Sequence, residues 1–329
     1  MKPAVSIRRT CLLASAFFLV SAAFTPRVRA EQVEDGWQTL QKAAVAAHQL
    51  SYRGIFIYES GHQTKAVQIT HLNNGNGEYS RNVLLDSSPR EVFSQGRDLV
   101  IFNPKKEKII IQKRRGQNLF PAILPTQLEH LKASYALYEG EADSVAGRDA
   151  RQLMLVPKDN FRHHYKFWVD QEYGLLLKYC MQNAKQEALE TIAFNQVNLM
   201  EQLDLHWFRP QINTGKNYEM EDEIPTEDAP DATGTWVIPT LPTGFNKVAQ
   251  IKLMAHGKTT PVTQIVLSDG LATVSLFIEP VRQKQRVGHH TVGNNSFYAH
   301  VQNGYQITAV GEVPQETVEK IAEAVVFKK

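Results

Sequence analysis

The sequence predicts an α+β protein of two domains, each built on antiparallel sheet. Three observations carry this reading. Short strand-like runs bounded by turn residues follow one another along most of the chain. An acidic, proline-containing stretch divides them into a larger and a smaller group. Helical periodicity is confined to a few places, chiefly the start of the first group and the end of the second.

The first thirty of the 329 residues read as an export signal. Lys2, Arg8 and Arg9 form a positive start, Cys11–Phe24 is an uncharged apolar core, and Val28-Arg29-Ala30 suits cleavage before Glu31. The core is shorter than the roughly 20 residues a membrane span needs, which argues against an anchor. Arg8-Arg9 fits either ordinary leader charge, the preferred reading, or a twin-arginine signal. Cys11 follows Arg8-Arg9-Thr10 rather than small apolar residues, so lipidation is not expected. The mature chain is therefore expected to work as a soluble protein outside the cytoplasm. Five of the 36 Lys and Arg residues belong to the leader, leaving 31 against 34 acidic residues. That balance offers no basic excess for a nucleic-acid partner. Once Cys11 leaves, Cys180 remains alone, so no internal disulfide holds the fold.

The large domain, 31–210, opens with a helix over Trp37–Leu50, in which Trp37, Leu40, Ala44 and Ala47 share one face. Strand-like runs follow at Gly54–Tyr58, Ala66–Leu72, Glu91–Phe93, Leu99–Phe102, Lys108–Gln112, Gln152–Val156, His164–Val169, Leu175–Met181 and Ala188–Phe194. Asn73–Gly77, Ser88-Pro89, Asn103-Pro104 and Tyr173-Gly174 mark turns between them. Thr126 and Glu129 stand at capping-box spacing, predicting a helix near Thr126–Tyr135. Many strands with few helices suggest a curved or barrel-like antiparallel sheet with helices on one face.

The connection 211–234 is acidic and poor in large apolar residues, so it reads as an extended linker. The small domain, 235–329, shows runs at Lys247–Ala255, Val262–Leu267, Leu271–Glu279, Ser296–Val301 and Tyr305–Gly311, with hairpin-type turns at Asp269-Gly270 and Asn303-Gly304. It closes with a helix from Pro314 whose stripe is Val318, Ile321, Ala322 and Val325.

No motif of enzymatic chemistry emerges, and the sequence calls for no cofactor and no catalytic or metal-binding residue. There is no nucleophile elbow, no His-Glu-x-x-His and no paired cysteine; Gly257-Lys258-Thr259 lacks the preceding glycine of a phosphate loop. His163-His164 and His289-His290 are strand neighbours that face opposite ways, which does not suit chelation by either pair. A curved sheet can enclose an apolar cavity, and Phe56, Tyr58, Phe93, Phe102, Phe167 and Trp168 are its candidate lining residues, with ordinary core packing as the alternative. Basic residues near the apolar run Ile109–Gln112, including Arg114 and Arg115, and Arg282, Lys284 and Arg286 in the small domain are candidate contacts for an acidic ligand or partner. The alternative for these is a solvated surface.

An ordered set of short motifs resembles the MucB/RseB family. It comprises Tyr52–Tyr58, Leu85-Asp86 with Pro89–Val92, Trp168-Val169-Asp170 with Gly174-Leu175, Ile192–Asn195, Trp236, Leu241-Pro242 with Gly244-Phe245, Ser268–Leu271, Val310–Pro314, and Ile321-Ala322-Glu323 with Phe327. The resemblance implies that the large domain is a half-open barrel of the LolA/LppX kind with an apolar cavity. It implies that the small domain helps grip the periplasmic part of a transmembrane anti-sigma factor of the RseA/MucA type, shielding it from site-one proteolysis and so restraining sigma-E. Lipopolysaccharide or another acylated ligand would displace the protein, with the acidic connection as hinge. A periplasmic lipid or lipoprotein carrier of the LolA type is the alternative, and a hydrolase with a dispersed site a further one. A homo-oligomer is compatible with the sequence.

Overall fold

A computed structural model describes residues 26–85, 90–96, 98–113, 119–199, 203–222, 226–227, 236–253, 262–281 and 287–328. Two sheets dominate, as the strand-rich sequence predicts. The large domain contains α1 (Pro26–Gln49), β1 (Tyr52–Ser60), β2 (Gln63–Asn73), β3 (Glu78–Leu84), β4 (Glu91–Gln95), β5 (Asp98–Asn103), β6 (Lys108–Lys113), α2 (Glu129–Ser134), β7 (Tyr135–Val145), β8 (Arg148–Pro157), β9 (His164–Asp170), β10 (Leu176–Gln182) and β11 (Ala188–Leu199). The connection supplies β12 (Glu219–Asp222) and β13 (Thr226–Glu227). The small domain contains β14 (Trp236–Val237), β15 (Asn246–Leu253), β16 (Val262–Ser268), β17 (Thr273–Pro280), β18 (Gly288–Val292), β19 (Asn295–Gln302), β20 (Tyr305–Gly311), α3 (Gln315–Glu323) and β21 (Val326–Phe327).

The large sheet runs β12-β6-β5-β4-β3-β2-β1-β11-β10-β9-β8-β7, with antiparallel neighbours except at β12. Its two ends do not pair, so the barrel stays half-open. α1 lies across the β7–β10 end and buries Trp37, Leu40, Ala44 and Ala47, the stripe its periodicity marks. It starts upstream of the expected helix, and the expected cut before Glu31 falls within its first two turns. Against it pack Leu137, Leu153, Leu155, Phe167 and Leu177 in one continuous core. No helix among the described residues is long and apolar enough to cross a membrane.

A polar knot fixes the C-terminal end of α1 to the sheet. His48 Nδ1 and His71 Nε2 bind Glu78 Oε1 at 2.8 and 3.1 Å, and the His71 ring stacks on Tyr52 at 4.7 Å. Burial works to raise the Glu78 carboxyl, but the hydrogen bonds and charges of the two histidines outweigh it and hold it at about 2.

Three elements differ from expectation. The helix near Thr126–Tyr135 shrinks to α2, capped by the backbone of Leu128 without a side-chain cap, because burial of Leu124, Leu128 and Leu131 fixes the approach of the chain. The stretch beginning at Tyr135 becomes the long strand β7 instead. The acidic connection is not simply an unpaired linker: β12 pairs in parallel with β6, and β13 pairs with β15. Edge pairing needs only backbone hydrogen bonds, so a segment with little apolar content can order this way. Tyr218 anchors it on Phe102 at 5.5 Å, and Lys216 meets Glu107 at 2.9 Å.

The small sheet runs β13-β15-β16-β17-β20-β19-β18, with α3 packed on β17, β19 and β20. Val318, Ile321, Ala322 and Val325 are buried as the stripe predicts. β14 and β21 pair, so Trp236 lies opposite Phe327 and the ends of this domain are joined.

Gly54 has a packing reason. A Cβ there would meet the Gln196 carbonyl at 2.6 Å and the Phe194 ring at 2.8 Å, next to a register shift between Ile55 and Phe56. Gly54→Ala should therefore cost about 1–3 kcal/mol, as overpacking does, read as a lower urea midpoint. The knot predicts acid sensitivity. Because the folded Glu78 carboxyl sits below its ordinary 4.5, its contribution is present above that value and is lost as pH falls toward about 2. Glu78→Gln should flatten the acid limb of a plot of melting temperature against pH; an unchanged limb would refute this assignment.

Candidate functional site

The site is the seam between the two domains. At one end stands Arg162, whose side chain is fully buried. Its Nε donates to Asp269 Oδ2 at 2.6 Å, and its Nη atoms donate to Asp159 and to the Thr243 carbonyl. Tyr135 donates to the same Asp269 oxygen at 3.0 Å, and the guanidinium also lies 4.9 Å from the Phe245 ring.

Local structure makes this latch possible. Asp269 begins the β16–β17 turn, where its other oxygen accepts the N–H groups of Leu271 and Ala272 at 2.9 and 2.8 Å. The carboxylate is thus fixed before Arg162 meets it. Gly270 follows with φ +105°, packed on Pro125 and Leu131, a conformation and closeness that suit glycine. Burial works against the charged guanidinium, but hydrogen bonds to Asp159 and Asp269 raise its pKa further. Nearby, the Thr317 hydroxyl donates to the Phe161 carbonyl at 2.9 Å, and Lys320 lies 4.5 Å from the Phe161 ring.

At the other end, the β18–β19 turn reaches the large sheet. Asn294 Nδ2 donates to Ser60 Oγ at 2.8 Å and to the Leu189 carbonyl at 2.9 Å. A cavity of about 540 Å³ is lined from both domains. The large domain supplies Phe56, Tyr58, Phe120, Ile123, Tyr165, Tyr179, Met181, Glu190 and Ile192; the small domain supplies Leu271, Thr273, Ser275, Asn295, Val310 and Glu312. Its wall is aromatic: Phe56 meets Phe120 at 5.2 Å, and Tyr165 stacks on Tyr179 at 6.0 Å.

Two carboxyls also face this cavity. Burial, then the charge of Glu312, raises Glu190 to about 7, partly opposed by a hydrogen bond from Tyr58. Burial likewise raises Glu312. The sequence carries a signal for Glu190, although no motif marks it. In β11 it shares a face with Ile192 and Phe194, so alternation places a charge on an apolar face. Arg162 and Asn294 had no comparable local signal, and Asp269 showed only as part of a turn.

The candidate lining residues part company. Phe56 and Tyr58 line the seam cavity. Phe167 lies wholly buried behind it, stacked on Tyr165 at 6.3 Å. Trp168 points to the opposite face, where its Nε1 donates to Asp143 at 2.9 Å and Lys178 lies 4.3 Å from its ring. Phe93 and Phe102 sit toward the β6 end in a separate cluster with Ile109. Phe93 lines a second concavity of about 580 Å³, with Tyr79, Val100, Ile111 and Phe208. Arg114, Arg115, Arg282, Lys284 and Arg286 lie outside the described residues. His163 is buried, and burial followed by the neighbouring His164 lowers it to about 4. Among the described residues no group of three or more His, Cys, Asp and Glu side chains converges as a metal site. Cys180 is buried, with Thr191 Oγ1 3.6 Å from its sulfur.

The MucB/RseB N-terminal domain matches residues 35–212, and the MucB/RseB C-terminal domain matches residues 230–326. The chain belongs to the MucB/RseB family. Among relatives, the Sigma-E factor regulatory protein RseB of Haemophilus influenzae is 26% identical over 297 residues, covering 88% of this chain and 91% of that protein. The Sigma factor AlgU regulatory protein MucB of Pseudomonas aeruginosa is 27% identical over 303 residues, covering 90% and 92%. A crystal structure of MucB in complex with MucA(peri) matches with TM-score 0.71 at 24% identity, over 90% of this chain and all of that one. The Pseudomonas aeruginosa MucA/MucB complex matches with TM-score 0.70 at 24% identity, over 90% of this chain and 99% of that one. These likenesses extend the shared fold across both domains.

Removing one partner of the latch strands a buried charge, which costs about 3–5 kcal/mol. Asp269→Ala should therefore undock the domains, splitting one calorimetric unfolding transition into two. A single transition at unchanged temperature would show that other contacts hold the seam.

Proposed function

We propose that this chain is a periplasmic regulator that binds the periplasmic part of a transmembrane anti-sigma factor of the RseA/MucA type. It would protect that factor from site-one proteolysis and so restrain sigma-E. The observation that carries the reading is the match of both MucB/RseB domains, in order, on a chain whose two sheets share one seam. The regulatory names of the relatives and the solved MucA/MucB complexes support it. On this reading residues 1–30 are removed on export, 31–210 and 235–329 are the working domains, and 211–234 connects them. The protein acts by binding rather than by catalysis.

Lipopolysaccharide or another acylated molecule is the proposed releasing signal. A cavity walled by aromatic and polar side chains of both domains supports coupling: an occupant favours whichever domain arrangement fits it, and the anti-sigma segment is then disfavoured by the same factor. Phe56 and Tyr58 are the proposed contacts for an acyl chain, and Arg282, Lys284 and Arg286 remain proposed contacts for an acidic group. A LolA-type carrier is the second reading, favoured by the same cavity. A carrier would not require walls from both domains.

Calorimetric titration of the mature chain with the periplasmic segment of its anti-sigma factor tests this. Binding is expected, and saturating lipopolysaccharide should weaken it by at least about tenfold, or about 1.4 kcal/mol. Absence of binding would overturn the regulatory reading; affinity unchanged by lipopolysaccharide would overturn the release mechanism alone. Delivery of bound lipid from donor to acceptor vesicles without an anti-sigma segment would favour the carrier.

A further inference from the structure

The seam holds two acidic side chains on opposite domains. Glu190 is on β11 of the large sheet, and Glu312 follows β20 of the small one; both line the same cavity. Neither has an ion-pair partner among the described residues. Glu190 lies opposite Ser60 in the β1–β11 ladder and next to Leu189. Ser60 and Leu189 are the groups that Asn294 clasps. The repelling pair therefore sits beside one interdomain contact, while the Arg162–Asp269 latch forms another.

We propose that Glu190 and Glu312 form a proton-operated gate, in which loss of the proton on Glu190 opens the Asn294 clasp while the Arg162–Asp269 latch serves as the pivot. This goes beyond the regulatory reading and does not depend on it, because the gate operates in the chain without any partner.

The surrounding groups favour this pairing of charge with movement. β1 presents Tyr58, whose hydroxyl works to lower Glu190, and β2 presents Lys65, whose Nζ lies 5.7 Å from the Tyr58 ring. β9 and β10 present Tyr165 and Tyr179, which burial keeps protonated by raising both well above the usual tyrosine value. The small domain adds the uncharged Thr273, Ser275 and Asn295. Arg162 is already engaged by Asp159 and Asp269, and Asp269 adds further negative charge toward Tyr165.

The direction follows from linkage. Glu190 rises from 4.5 to about 7 in the closed seam, so the closed arrangement holds more protons than an opened, hydrated one. Closure is fully favoured below the ordinary carboxyl value and loses ground as pH rises through about 7. Burial comes first in raising Glu190, and the charge of Glu312 adds to it.

Spin labels on His62→Cys and Val292→Cys, both exposed positions flanking the clasp, report its opening by pulsed electron resonance distances. Between about pH 5 and about pH 8, a longer-distance population should grow with its midpoint near 7. Glu190→Gln and Glu312→Gln should each suppress that growth. Tyr58→Phe, which removes the hydroxyl that works to lower Glu190, should move the midpoint to higher pH. A distance distribution that does not change with pH in the otherwise unaltered chain would overturn the gate, as would full pH dependence retained in both glutamine variants. Because no anti-sigma segment or lipid is present, these outcomes are independent of whether the regulatory reading stands.

Discussion

The buried guanidinium of Arg162 joins the two sheets. A charge removed from water is costly unless its hydrogen-bonding capacity is met, and here it is met from both sides of the seam. Asp159 lies in the large domain, while Asp269 and the Thr243 carbonyl belong to the small one. A latch of this kind is directional. It holds only when the β16–β17 turn presents Asp269 and the strand start of β7 presents Tyr135 at the same point. The cavity, the facing carboxyls and the Asn294 clasp take their relative places in a seam that this contact helps to set.

Much of the architecture was legible in local pattern. The stripe at Trp37, Leu40, Ala44 and Ala47 recurs at helical spacing, and the closing helix repeats that logic with Val318, Ile321 and Ala322. β3 and β7 escaped notice for a common physical reason. Every residue of β3 is half-buried, and β7 carries Gly140 beside a register shift, so neither shows clean alternation. The Thr126–Glu129 spacing suggested a cap that core burial of Leu124 and Leu128 displaced. Local spacing carries no information about a competing tertiary contact.

The site was legible only in part, and parity explains much of the difference. Phe56 and Tyr58 lie two apart on β1 and share a face. Phe167 and Trp168 are neighbours on β9 and face opposite ways, so one face cannot receive both. Phe93 and Phe102 required knowledge of where along a twelve-stranded sheet each strand falls, which depends on pairing across the whole domain. Glu190 could have been found from its apolar neighbours at alternate positions. Arg162, with no periodic setting of its own, emerges only when a turn more than a hundred residues later arrives beside it.

The connecting segment has a consequence beyond joining the domains. A half-open sheet leaves an unpaired strand edge, which can recruit another chain and seed aggregation. β12 covers the β6 edge of the large sheet, and β13 covers the β15 edge of the small one. The acidic composition of this stretch adds like charge where a second copy would otherwise add a strand. The stretch that reads in sequence as a spacer thus covers one edge of each sheet, and shortening it would uncover those edges before it altered the spacing of the domains.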